Sequence, residues 1–282
     1  MSTFSRLAVV AYAVVAYGAF LLSAAWAMGF LAGRGAPTSV DGPATRPLWA
    51  ALTIDAALLL TFAVQHTIMA RDGFKKRLTR LLPAAAERST FVLAASLLLI
   101  AAFWWWQPVP QVVWHVRPPW SAAFWVVYAL GWALVVWSTF MVDHADFLGL
   151  KQAYVNWRRL GYRAPAFSQR WLYQWMRHPM MLGLLVTFWV TPFMTVGHMF
   201  FAVASTAYIA VGIRFEERDL RAHLGAQYAE YAARVPAVVP VPSRSPAPAP
   251  APAADRSDRS DGADAFGQRG ADTPGRADAR AR

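Results

Sequence analysis

Leu7 to Leu31 runs for 25 residues without a charged side chain. As a helix rising about 1.5 Å per residue it more than crosses a hydrocarbon layer of about 30 Å, inside which only helices and closed barrels satisfy their own backbone. The same pattern recurs at Leu48 to Ala70, Thr90 to Trp106 and Ser121 to Val142, and in two shorter runs, Pro179 to Met194 and His198 to Ile213. The last two have Thr195-Val196-Gly197 between them, which reads as a tight turn closing a helical hairpin. The expected fold is therefore all-α, a polytopic membrane protein with about five to six transmembrane helices, the last two forming a hairpin. The first run has a rival reading as a cleaved signal peptide, since Arg6 precedes it and Ala25-Trp26-Ala27 has the small-x-small form of a cleavage site.

The formal charge of +11 suggests nucleic acid until its placement is considered. Arg71, Lys75, Lys76, Arg77, Arg80 and Arg88 follow the second run; Lys151, Arg158, Arg159, Arg163, Arg170 and Arg177 follow the fourth; only Arg34, Arg46 and Arg117 fall on the other side. This is the asymmetry of loop charge that orients membrane proteins, and it predicts that both basic loops and both termini are cytoplasmic. The sequence divides into an integral membrane domain, 1–240, and a tail, 241–282, whose Pro/Ala repeats and mixed charge are expected to be disordered. Cysteine is absent, which removes thiolate ligands and a cysteine nucleophile. The six histidines show no His-x-x-His or His-x-x-x-His spacing, so no metal is expected. The bilayer is the expected partner and nucleic acid is not. Trp104, Trp105, Trp106, Trp114, Trp120, Trp171 and Trp175 gather at span ends, as interfacial anchors do.

Chemistry-bearing residues concentrate in the C-terminal half. In "QWMRHPMMLG", Pro179 at a first helical position predicts His178 as the cap, with Arg177 beside it and unpaired backbone amides facing the cytoplasmic interface. Further on, "RFEERDLRAHLGAQYAEYAARVP" reads as an amphipathic helix with Leu220, Leu224, Tyr228, Tyr231 and Val235 in one stripe and Glu216, Glu217 and Asp219 in its first turn. Hairpin topology brings this acidic helix start toward the cationic one. A zwitterionic ligand suits such a pair, and S-adenosylmethionine is one. The plainer reading of each half is an interfacial anchor and a compensated helix dipole.

These residues carry a resemblance. "RHPMMLG", then "EERDL", then "GAQYAEYAARVP" resembles the Arg-His-Pro-x-Tyr-x-Gly, Glu-Glu-x-x-Leu and Gly-x-x-Tyr-x-x-Tyr pattern of the isoprenylcysteine carboxyl methyltransferase superfamily. Upstream, "FAVQHTIMAR" with "FKK" resembles its nurim-like branch, and "ERSTFVLAASLLL", "STFMVDHADFLGLKQ" and "TPFMTVGHMFFAVASTAYIAVGI" resemble the bacterial methanethiol S-methyltransferases of that branch. The likeness covers roughly Leu48 to Pro240. It implies a multi-pass protein of the bacterial inner membrane that transfers a methyl group from S-adenosylmethionine to methanethiol, a small volatile thiol, giving dimethyl sulfide. It implies a cofactor site formed by Arg177, His178, Pro179, Gly183, Glu216, Glu217, Tyr228 and Tyr231. Met181 departs from the pattern, standing where the family has Tyr. Other thiol, isoprenoid or phospholipid acceptors, and a non-enzymatic nurim-like scaffold, remain alternatives.

A thiol reacts as its thiolate, which calls for a proton acceptor or a positive field. His66, after Gln65, and His144, between Asp143 and Asp146, are the imidazoles at cytoplasmic span ends outside the cofactor motif. The candidates for the catalytic role are accordingly His144 and His66, with Asp146 orienting the former. Asp55 lies deeper in its span, where a carboxylate needs a partner, either for packing or on an acceptor route.

Overall fold

The computed structural model describes residues 3–164, 169 and 171–239. The expected tail, 241–282, lies outside them, as does the boundary drawn before it. Long helices follow the apolar runs: α1 (Thr3–Ala32), α2 (Leu48–Ala70), α4 (Glu87–Trp105), α5 (Trp120–Val142) and α9 (Val196–Leu224), each long and apolar enough to cross a bilayer. Between them lie α3 (Asp72–Leu81), α6 (His144–Phe147) and α7 (Leu150–Trp157), all short, and α8 (Pro179–Trp189), which is apolar but only 11 residues long; α10 (Ala226–Arg234) follows α9. The protein is a multi-pass all-α membrane protein.

The long helices and α8 form a ring. α1 packs on α4, α4 on α2, α2 on α9, α9 on α8 and α8 on α5. The Tyr128 hydroxyl on α5 closes the ring by donating to the Met28 carbonyl on α1 at 2.6 Å. α5 and α8 meet backbone to backbone. A Cβ on Gly183 would lie 2.8 Å from the Gly131 carbonyl oxygen, and one on Gly131 would lie 2.9 Å from Val186 and Thr187. Small residues allow this approach where apolar burial offers no drive between helices.

Trp26, Phe30, Phe103, Trp106, Phe188 and Phe201 form an aromatic core at the ends of the helices away from the basic loops. Loop 33–47 closes over it. Thr38 receives the Trp26 indole N–H and donates to the Phe103 carbonyl, while Asp41 accepts from Thr195 at 2.6 Å and pairs with His198 at 3.1 Å. Because Trp26 belongs to this core, cleavage after Ala27 would remove part of it.

Two sequence expectations need correction here. The segment after Trp189 is not helix up to Met194: β1 (Val112–His115) pairs antiparallel with β2 (Phe193–Thr195), Trp114 opposite Met194. The ribbon satisfies backbone groups that an irregular segment beside a bilayer would leave open. Thr195 then caps α9 by accepting from the His198 amide, so Thr195-Val196-Gly197 is a strand-to-helix junction rather than a hairpin turn. Second, no break separates the last span from the acidic motif. α9 continues for 29 residues, which places Glu216, Glu217 and Asp219 inside a helix and not in its first turn. The amphipathic stripe is instead divided at Gly225, whose φ of +55° favours glycine.

Candidate active site

The residues of the two C-terminal motifs converge on Glu217. Its Oε1 accepts from Arg177 Nε at 2.8 Å and lies 3.3 Å from His178 Nε2, while Oε2 takes Arg221 Nη2 at 3.3 Å. Only 11% of the Glu217 side chain is exposed, and likewise for Arg177, so this pair is held largely out of water. Glu216 differs: Oε2 is 3.5 Å from His178 Nδ1, but half of its side chain (51%) is open. A buried imidazole therefore stands between one engaged carboxylate and one available one.

Local sequence explains how this is built. Pro179 opens α8 as expected, and His178 occupies the cap position, yet its side chain makes no capping bond because it turns to the two glutamates. Arg177 is not a free cation at the helix start. Besides Glu217, it donates to the carbonyls of Ala232 (2.8 Å) and Val235 at the end of α10. Backbone bonds from Arg177 N to Pro236 O and from His178 N to Ala237 O, 3.0 and 2.9 Å, fix the same chain segment. Arg177 is thus a strut that binds α8, α9 and α10 together.

Tyr228 and Tyr231 are buried on α10, and the Tyr231 hydroxyl donates to the Tyr173 carbonyl at 2.7 Å. Burial pushes the phenols of Tyr231 and Tyr173 up to about 12, so both remain neutral donors at physiological pH. Tyr173 was not legible as a participant; its aromatic neighbours Trp171 and Trp175 read simply as anchors. Gly183, expected with the cofactor residues, is buried against α5, where its missing side chain serves helix contact. Met181 packs on the aromatic core from α8.

The base candidates separate. His144 is not held by its flanking aspartates: Nδ1 is 2.8 Å from Thr139 Oγ1 and Nε2 is 3.2 Å from the Tyr17 hydroxyl, with the ring stacked on Phe140. Asp143 instead receives Lys151 at 2.6 Å and caps the Asp146 amide, and Asp146 accepts from Tyr162 at 2.8 Å. The Lys151 hydrogen bond holds the Asp143 carboxyl below its ordinary value. Asp146 therefore does not orient His144 as expected, because the left-handed backbone at Asp143 (φ 95°) turns the two carboxylates toward Lys151 and Tyr162. His66 lies between the rings of Phe62 and Phe91, at 5.2 and 4.8 Å, and its Nδ1 is buried without a hydrogen-bond partner. Asp55, fully buried, accepts from the Gln107 amide at 2.8 Å and so secures the chain leaving α4. Among the described residues no group of three or more His, Asp or Glu side chains could hold a metal ion.

Comparison with known proteins gives this geometry a context. The chain is 44% identical to a methanethiol S-methyltransferase of Mycobacterium tuberculosis over 84% of its own length and 98% of the relative's. It is 43% identical to methanethiol S-methyltransferase 2 of Bradyrhizobium diazoefficiens, covering 84% and 92% of the two chains. Nurim from Bos taurus is 30% identical over 62% of this chain and 70% of its own. No family model matches the chain, and no solved structure matches it. From the agreement along nearly the whole of its bacterial relatives, the chain belongs to the methanethiol S-methyltransferase family, to which nurim is related.

Proposed function

We propose that this protein transfers the methyl group of S-adenosylmethionine to methanethiol, forming dimethyl sulfide, at the end of the bundle where α8, α9 and α10 meet. The observation that carries the reading is His178 placed between Glu217 and the open Glu216 in a chain of this family. The residues suit the donor. Glu216 offers a carboxylate to its ammonium group, and the first-turn amides of α8 offer donors to its carboxylate, with His178 setting the position of Glu216. Tyr228 and Tyr231 supply aromatic surface beside them. Arg177 and Glu217 act by holding these groups in place.

Bound there, the donor supplies an electrophilic methyl on a sulfonium sulfur. The chain needs little covalent chemistry of its own: it must position the acceptor within about 3–3.5 Å of that methyl, exclude water and accept one proton. We place the site on the cytoplasmic face of the inner membrane, from the loop-charge asymmetry, and assign the activity to residues 1–240. Membranes containing the protein, incubated with S-adenosylmethionine and methanethiol, should release dimethyl sulfide into the headspace, and Glu216→Gln should raise the donor concentration required. Donor binding without any methylated thiol would favour another acceptor. Absence of donor binding would favour a scaffold role of the kind considered for nurim-like chains.

A further inference from the structure

The geometry points to an acceptor site between α2, α4 and α9, in which Nδ1 of His66 takes the thiol proton and Arg88 supports the resulting thiolate. This rests on the methyltransferase reading above. Three observations carry it. First, His66 Nδ1 is a buried polar atom with no partner, which costs free energy unless a ligand or water satisfies it. His144, by contrast, has both ring nitrogens engaged by Thr139 and Tyr17. Second, the surroundings of His66 suit a small apolar thiol. Phe62 and Phe91 flank the ring, and Tyr208 on α9 stands edge-on at 6.4 Å. Third, Arg88 lies over the other side of this cluster, its guanidinium 5.1 Å from the Phe91 ring and its Nε bonded to the Phe147 carbonyl. Among the described residues no carboxylate oxygen lies within 4 Å of it, Glu87 and Asp146 acting on it only from farther off, and its cation stands beside the cluster.

Placement relative to the donor site follows from α9. Thr67 and Tyr208 are in contact at 3.3 Å, and farther along, about one turn on α2 and about three on α9, Arg71 pairs with Asp219 at 3.1 Å. α2 and α9 therefore run side by side in the same direction. Tyr208 precedes Glu216 by eight residues, roughly 12 Å along the axis, so the His66 cluster lies deeper in the bundle than the proposed donor-binding carboxylate. A donor whose amino-acid group is held at Glu216 and His178 would turn its sulfonium methyl, which lies between that group and the adenosyl group, inward toward a thiol arriving through the apolar layer.

In the transfer, the thiol sulfur forms the new bond to carbon. The methyl–sulfonium bond breaks, its electron pair remaining on the donor sulfur as a neutral thioether. The S–H proton passes to His66 Nδ1, the unprotonated nitrogen in this assignment, and then to water. The ionisable groups facing His66 are Arg88 from α4 and Tyr208 from α9.

The test compares His66→Gln with the wild type in detergent or nanodiscs, measuring S-adenosylmethionine affinity, turnover with methanethiol and turnover with hydrogen sulfide, a more acidic acceptor. Donor affinity should be unchanged, turnover with methanethiol should fall about a hundredfold, and the loss should shrink with hydrogen sulfide and with rising pH. Without donor, ethanethiol should produce the ultraviolet thiolate band in wild type, and the band should weaken in His66→Gln and in Arg88→Gln. Full turnover of His66→Gln with methanethiol at neutral pH would overturn the proposal, as would an equal loss for both acceptors with an unshifted pH profile. Wild-type protein that binds donor but methylates neither thiol would remove the underlying functional reading, and this one with it.

Discussion

Replacing Gly183 with Ala separates a packing glycine from a ligand-binding one. The added Cβ would meet the Gly131 carbonyl oxygen and a Val135 methyl at 2.8 Å and the Val135 amide nitrogen at 3.0 Å. Ordinary contact begins at 3.4 Å, so the closest approach is about 0.6 Å short, and two of the three obstacles are backbone atoms that cannot rotate away. α5 and α8 must part, at a cost of about 1–3 kcal/mol, against which alanine recovers at most about 0.5–1 kcal/mol of helix preference. The net loss, at most about 2.5 kcal/mol, corresponds to a fall in melting temperature of up to roughly 10 °C for a domain of this size. Gly18 supplies the internal control. It lies in α1 with nothing within 4 Å of the added carbon, so Gly18→Ala should leave the melting temperature unchanged or raise it by about 1–4 °C. Thiol-reactive dyes cannot follow the melt, since the chain has no cysteine, but its 14 tryptophans give an intrinsic fluorescence signal. Gly183→Ala with a wild-type melting temperature but weakened donor affinity would refute the packing argument and return Gly183 to the cofactor site.

Other outcomes follow from the same geometry. Glu217→Ala should lower stability by about 3 kcal/mol, the lower end for removing one member of a buried ion pair, because Arg177 keeps its two carbonyl acceptors; an unaltered melt would show that the strut carries no load. The Asp143 carboxyl is held below its ordinary value by Lys151, so its contribution to stability is present above the unfolded value near 3.8 and is lost as pH falls through the lower folded value. Melting curves of wild type and Asp143→Asn should accordingly differ at pH 6 and converge at strongly acid pH. A chain ending at Pro242 should keep full turnover, and a large loss would give the tail a role. Reporter fusions after Arg71 and after Pro236 should both register as cytoplasmic, and reporters on opposite faces would overturn the orientation.

The sequence disclosed what depends on local pattern. Leu48–Ala70 needed only its length and lack of charge, and Pro179 marked the start of α8 because proline has no amide to leave unpaired. What it obscured depends on distant partners. A run of charges at Arg214 to Asp219 looks like the start of a new helix, yet α9 passes straight through because it emerges from the apolar layer there and its charges meet Arg71 and Arg177. Asp143 and Asp146 flank His144 in sequence, but its partners are Thr139 and Tyr17, the latter 127 residues away. Arg177 counted as loop charge and as an anion-binding group, and only the return of α10 revealed its strut role. Arg88 was hidden in the same count; its position three residues before Phe91 at the start of an apolar run was a local signal, whereas its second ring partner, Phe147, is distant in sequence.

The shortness of α8 governs how the chain can be assembled in a bilayer. Eleven residues span roughly 16 Å, about half of the hydrocarbon layer, so this segment cannot partition and remain as an independent helix. The other half of its path is extended chain, whose backbone finds partners in the ribbon with β1, in the end of α8 and in the Thr191 hydroxyl. Both supports, the Gly131 face of α5 and the strand after Trp106, are synthesised earlier, and α9 follows at once. Insertion of α8 is therefore obliged to wait for α9 and to occur onto a surface already in place. The end of the protein proposed to bind the donor is completed last, after the bundle proposed to receive the acceptor has formed.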